Sequence, residues 1–191
     1  ILGEANFHTN EKVITITDLW DLYGIKQFPD AHYVVVNDIE MPKSSMSQII
    51  HSSMVWQGTL DFQGHTLTKY PSSALIYTVG SNGVIENLKL KFWDDVAISE
   101  CRADLLVYTN NGTIRNLQVI YNLKQTQTAS GTWQSLIRVN NTGAVLENFS
   151  VKIESPLYFR FYGGVVGENR GIIRNGYVYG DEALRMFDRN M

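Results

Sequence analysis

A short phrase of Gly, a spacer led by small or apolar residues, Asn and then an alternating strand comes round four times in this chain. It reads Gly83-Val84-Ile85-Glu86-Asn87-Leu88-Lys89-Leu90, Gly112-Thr113-Ile114-Arg115-Asn116-Leu117-Gln118-Val119, Gly143-Ala144-Val145-Leu146-Glu147-Asn148-Phe149-Ser150-Val151 and Gly171-Ile172-Ile173-Arg174-Asn175-Gly176-Tyr177-Val178. From Asn87 the repeat Asn recurs after 29, 32 and 27 residues. Self-similarity at a period of this size marks an architecture in which each unit buries its apolar face on its neighbour. The recurrence constrains the fold far more tightly than it constrains the chemistry.

Each unit carries a second short apolar run ahead of its Gly: Leu75-Ile76-Tyr77, Leu105-Leu106-Val107-Tyr108, Leu136-Ile137-Arg138-Val139 and Val165-Val166. Two or three short strands per unit, with Asn/Gly corners between them and no helix long enough for βαβ crossovers, predict one coil of a parallel β-helix. The expected fold is all-β, a right-handed parallel β-helix with a short N-terminal helix-strand cap. Ile85, Leu88, Leu90 and their equivalents should alternate inward and fill the column between sheets. Gly83, Gly112, Gly143 and Gly171 are expected to supply positive-φ corners, and Asn87, Asn116, Asn148 and Asn175 to stack coil upon coil. Asn82, Asn110, Asn111, Asn140, Asn141 and Asn169 crowd the same corners, where their amides can bond the local backbone.

The first residues read differently. Val13 to Ile16 resembles a strand, and Thr17 or Asp18 can cap a helical turn that places Leu19, Leu22 and Tyr23 on one face. Phe28-Pro29-Asp30 signals a turn, and His32 to Val36 a strand. Such a cap would cover strand edges that otherwise invite pairing with other molecules. This gives three segments: residues 1–54 as cap and lead-in, 55–180 as β-helix repeats, and 181–191 as a terminal piece leading into the rest of a longer chain, an expectation that the non-methionine start at Ile1 supports.

Chemistry is sparse. The net charge of -3, with both signs interspersed, argues against a nucleic-acid surface. Cys101 is the single cysteine, so no intrachain disulfide is expected. The histidines, His8, His32, His51 and His65, show no ligand spacing, and no His-Glu-x-x-His occurs. No catalytic residue, cofactor or metal ligand is therefore expected within this segment. Asp94, Asp95, Glu100, Arg102 and Asp104 form one dense charged group, read as a solvated loop. The aromatic residues of the stretches that lengthen each turn, Phe92, Trp93, Tyr121, Trp133, Tyr158, Phe159 and Tyr162, are the candidates for partner binding, because exposed aromatics make protein anchors and sugar-stacking platforms.

The repeat resembles the GLUG repeat of bacterial surface proteins, in which a Gly-rich strand is followed by Gly-x-Ile-x-Asn-x-x-Val. Gly163-Gly164-Val165-Val166-Gly167-Glu168-Asn169-Arg170-Gly171-Ile172-Ile173-Arg174-Asn175 is the closest copy, while Leu75, Leu105 and Leu136 stand where the pattern favours Gly. Ile16-Thr17-Asp18-Leu19-Trp20, the Tyr33 to Ile39 stretch and Phe62-Gln63-Gly64-His65-Thr66-Leu67 are similar to the lead-in of such proteins, among them the streptococcal immunoglobulin A1-specific zinc metallopeptidases. The resemblance implies a secreted or surface-anchored bacterial protein. It implies a module that is not itself catalytic, serving a distant domain whose zinc lies elsewhere, with immunoglobulin A1 or a surface glycan as partner. An adhesin with no enzyme attached and a carbohydrate-active β-helix are the other expectations.

Overall fold

The computed structural model describes residues 13–41, 49–70, 74–92, 106–121, 135–153 and 165–180, with His51, Lys69, Tyr70, Phe92, Tyr121 and Ile153 described by their backbone alone. Its strands are β1 (Val13–Ile16), β2 (His32–Val35), β3 (Ile39–Glu40), β4 (Ile50–Trp56), β5 (Thr59–Asp61), β6 (Thr66–Tyr70), β7 (Ile76–Val79), β8 (Val84–Glu86), β9 (Lys89–Phe92), β10 (Val107–Asn110), β11 (Thr113–Tyr121), β12 (Ile137–Asn140), β13 (Val145–Ile153), β14 (Val166–Asn169) and β15 (Ile172–Tyr179). Every pairing between them is parallel. One sheet has five strands in the order β4-β7-β10-β12-β14, and the other has ten. The chain passes from the first to the second in every unit, so successive units lie on one another as coils: the molecule is a parallel β-solenoid. Coiling accounts for the parallel pairing, because each turn returns the chain one rung further along.

Packing follows the alternation of the strands. Leu60, Ile85, Ile114 and Leu146 pair in register across β5, β8, β11 and β13 and are fully buried. Ile76, Val107 and Ile137 form the facing column from the other sheet. Each such side chain, fully buried, contributes about 1.5–3 kcal/mol by leaving water. A third column, Leu117 and Phe149, ends at Gly176. A Cβ at Gly176 would drive into the Phe149 ring, so the larger side chain fills the space that the glycine leaves.

At the other end, α1 (Leu19–Gly24) begins at Asp18, whose side chain accepts from the backbone N–H groups of Trp20 and Asp21. This satisfies two of the donors that a helix start leaves free. Leu22 and, in the 3-10 turn that follows, Ile25 are completely buried. The ladder runs without a break into this segment: β2 pairs β5, and β1 pairs β2. Val13–Ile16 and His32–Val35 are thus rungs of the same sheet, and β4 already starts at Ile50.

The repeat glycines act otherwise than as uniform positive-φ corners. The left-handed residues of the repeat are the asparagines, with φ of 57° at Asn87, 55° at Asn116, 53° at Asn148 and 54° at Asn175, joined by Gln63 at 50° in the preceding coil. Among the four glycines only Gly143 has positive φ, at 86°. Gly83, Gly112 and Gly171 are needed for closeness instead: a Cβ there would meet the carbonyl oxygens of Trp56, Gly83 and Asn141 respectively, across the coil boundary.

Candidate functional site

A left-handed residue, Gln63 and then Asn87, Asn116, Asn148 and Asn175, bends the ten-stranded sheet at the same point in five successive coils. Glu86 and Lys89 both point outward on either side of Asn87, while Leu88 between them is buried. Repeated coil on coil, the bend becomes an open groove of about 740 Å³, lined by Asp61, Gln63 and Lys89 at one end and Phe149, Asn175 and Tyr177 at the other. The volume lies within the range of ligand sites, but it is spread along the solenoid. Four rung steps at about 4.8 Å make it roughly 19 Å long.

An amide chain forms its floor. Asn175 Nδ2 donates to Asn148 Oδ1 at 3.3 Å, Asn148 Nδ2 to Asn116 Oδ1 at 3.2 Å, Asn116 Nδ2 to Asn87 Oδ1 at 2.8 Å, and Asn87 Nδ2 to Asp61 Oδ1 at 2.8 Å. Asp61 also accepts from the Gln63 N–H at 2.8 Å. A carboxylate can only accept, so Asp61 ends the chain and fixes its polarity. The outward residues two positions after each Asn, Lys89, Gln118, Ser150 and Tyr177, lie in register and form one wall. Tyr177 is 61% exposed.

A second amide chain lies inside. Asn110 and Asn140 are fully buried, and their column continues the apolar one of Trp56 and Val79. Asn110 Nδ2 donates to Asn140 Oδ1 at 2.8 Å and Asn140 Nδ2 to Asn169 Oδ1 at 2.9 Å, opposite in polarity to the groove chain. Asn110 Oδ1 accepts from the Gly112 N–H at 3.1 Å, tying the corner to the ladder. Asn141 donates to Asn111 Oδ1 at 2.7 Å in a shorter third stack.

Charges are spent between coils. Arg115 Nε bonds Glu86 at 2.6 Å, and Arg174 bonds Glu147 through Nε at 2.7 Å and a terminal nitrogen at 2.6 Å. In register the row runs Asp61, Glu86, Arg115, Glu147, Arg174. Asp38 accepts from the Thr66 N–H at 2.8 Å and lies 3.2 Å from His65 Nδ1. The Thr66 N–H holds the Asp38 carboxyl below the usual carboxylate range against the opposing effect of burial, with His65 and Lys89 adding to the lowering. On the outer face of the five-stranded sheet, Tyr77 stacks on Tyr108 with ring centres 4.4 Å apart, and the Arg138 guanidinium lies 4.6 Å from the Tyr108 ring centre.

Of the aromatic residues singled out from sequence, the structure places the backbones of Phe92 and Tyr121 at the ends of β9 and β11. Trp93, Trp133, Tyr158, Phe159 and Tyr162 lie outside the described residues, as do Asp94, Asp95, Glu100, Cys101, Arg102 and Asp104. Sequence reasoning passed over the Lys89, Gln118, Ser150 and Tyr177 wall. Its signal was available, since each stands two residues after a repeat Asn and strand alternation points it outward. Among the described residues no three His, Cys, Asp or Glu side chains are grouped to hold a metal ion, and no helix is long and apolar enough to cross a membrane. No known protein family, curated protein or solved structure matches the chain.

Proposed function

We propose that this chain is a non-catalytic recognition or spacer module of a secreted or surface-anchored bacterial protein. Its most specific form is the accessory region of an immunoglobulin A1-protease-like zinc metallopeptidase, holding a host glycoprotein while a distant domain cuts. One observation carries the reading: the groove face is built from groups that hold the coils together and leave surface for contact rather than reaction. A polysaccharide-cleaving β-helix would use carboxylates on adjacent rungs as proton donors and acceptors. Among the described residues Asp61 and Glu86 are such a pair, and both are committed, Asp61 to Asn87 and Gln63, Glu86 to Arg115. What remains is a stiff scaffold that presents polar and aromatic side chains, the arrangement a binding module needs. An adhesin would use the same scaffold and differ only in what the parent chain carries.

The test is a biosensor titration of the chain against immunoglobulin A1, with Trp93→Ala and Trp133→Ala alongside. Saturable binding weakened by either substitution supports the recognition role. Absence of binding moves the assignment to a spacer or an adhesin for another ligand.

A further inference from the structure

The groove over the exposed amide chain has a chemistry of its own. A side-chain amide offers two N–H donors and an oxygen with two lone pairs. The chain spends one N–H and one lone pair of Asn116 and of Asn148, and their side chains are exposed. Each therefore presents a second N–H and a second lone pair outward, a donor beside an acceptor, repeated at the rung spacing. Sugar hydroxyls are complementary, because each can donate and accept at once.

The pitch selects among linear ligands. Side chains on one face of an extended peptide recur about every 6.6–6.8 Å, out of step with rungs at about 4.8 Å after a single repeat. A chain of equatorially linked pyranoses advances by close to one rung per sugar, and although alternate sugars are turned over, both edges of each ring carry oxygen groups that can meet the amides. Lys89 and Asp61 are the charged side chains lining the groove, of opposite sign, so nothing there favours a polyanion or polycation. Tyr177 supplies, at the end of the Lys89–Gln118–Ser150 row, an exposed ring on which a sugar face can stack.

We infer that the groove along Asn87, Asn116, Asn148 and Asn175 binds a neutral linear glycan lying along the solenoid axis, one sugar to a rung, with Gln118 and Ser150 on its flank and Tyr177 under one end. This inference rests on the recognition reading and names the ligand class for a surface other than the insert aromatics.

The experiment is a nitrogen-15 NMR titration of the chain with cello-, chito-, xylo- and mannohexaose, following the asparagine side-chain amide signals, with polygalacturonate as the charged comparison. At least one neutral hexasaccharide is expected to shift the signals of Asn116 and Asn148. Tyr177→Ala and Gln118→Ala, which touch no coil-to-coil bond, should each weaken that binding, the first on the order of tenfold. Trp20→Ala, at a 78% exposed ring away from the groove, should leave it unchanged. The inference is overturned if no neutral glycan moves those amides, or if binding survives both groove substitutions. Immunoglobulin A1 binding without any glycan binding would retire this inference while leaving the recognition role standing.

Discussion

Asn116 donates its side-chain amide to Asn87 Oδ1 at 2.8 Å while both residues hold left-handed backbones, φ 55° and 57°. One residue type thus meets two demands at each coil: it tolerates the bend at lower cost than most residues, and it bonds the coil before it. Alanine would meet neither demand, and glycine only the first.

Asn116→Ala is therefore expected to destabilise more than Asn116→Gly. Alanine carries the left-handed penalty of roughly 1–2 kcal/mol, while both lose the exposed amide bonds, worth about 0.5 kcal/mol each at the low end of the range. Urea unfolding of the two variants measures the difference. Equal losses would mean that the bend does not need a permissive residue.

The inner chain should respond more sharply. Asn140→Ala removes the 2.8 Å acceptor of the buried Asn110 Nδ2 and leaves it only the Val145 carbonyl at 3.5 Å, which costs about 1–3 kcal/mol. Asn140→Leu keeps the volume and should not restore stability, because the Asn110 donor still lacks its short bond. Recovery in the leucine variant would show that packing rather than hydrogen bonding holds this column.

Gly176→Ala is expected to cost about 1–3 kcal/mol, since the new methyl must displace the Phe149 ring. Phe149→Leu makes that site resemble Leu117 one coil earlier and should relieve the clash, giving a favourable coupling in a double-mutant cycle. Additive losses would contradict the pairing of large and small side chains.

Acid should weaken the N-terminal end. Asp21 is held below the usual carboxylate pKa first by the Thr17 hydroxyl and then by the Thr17 N–H, and Asp38 chiefly by the Thr66 N–H. Carboxyls with lowered folded pKa contribute stability that is present above their unfolded value and lost as pH falls through the folded one, so the loss belongs below about pH 4. Asp38→Ala should flatten that part of a melting-temperature profile against pH. An unchanged acid limb would remove Asp38 as a contributor.

Much of the fold was legible because it rests on residues with few substitutes. A left-handed bend repeated over successive coils favours Asn and Gly, so the coil period is visible as an Asn period, and the stacking of Asn87, Asn116, Asn148 and Asn175 follows from it. A helix cap at Thr17 or Asp18 was legible for the same reason, and the structure places it at Asp18. The division of labour between Gly and Asn was not. Both residues tolerate positive φ, and only the coil geometry shows that Gly83, Gly112 and Gly171 sit where a neighbouring carbonyl leaves no room for Cβ. Asp61 was hidden because its coil has Gln63 at the left-handed position and so breaks the Asn phrase. The groove was hidden because it belongs to no single coil: its wall of Lys89, Gln118, Ser150 and Tyr177 is chemically varied and is united only by register.

The central claim is recognition by a folded, rigid surface. It is tested most directly by biosensor binding of immunoglobulin A1 to the intact chain and to Leu146→Asp, which places a charge in a fully buried column and should unfold the coils. The account predicts saturable binding to the intact chain and none to the variant. Equal binding to both would contradict recognition by the folded surface, and no binding to the intact chain would contradict its immunoglobulin A1 form.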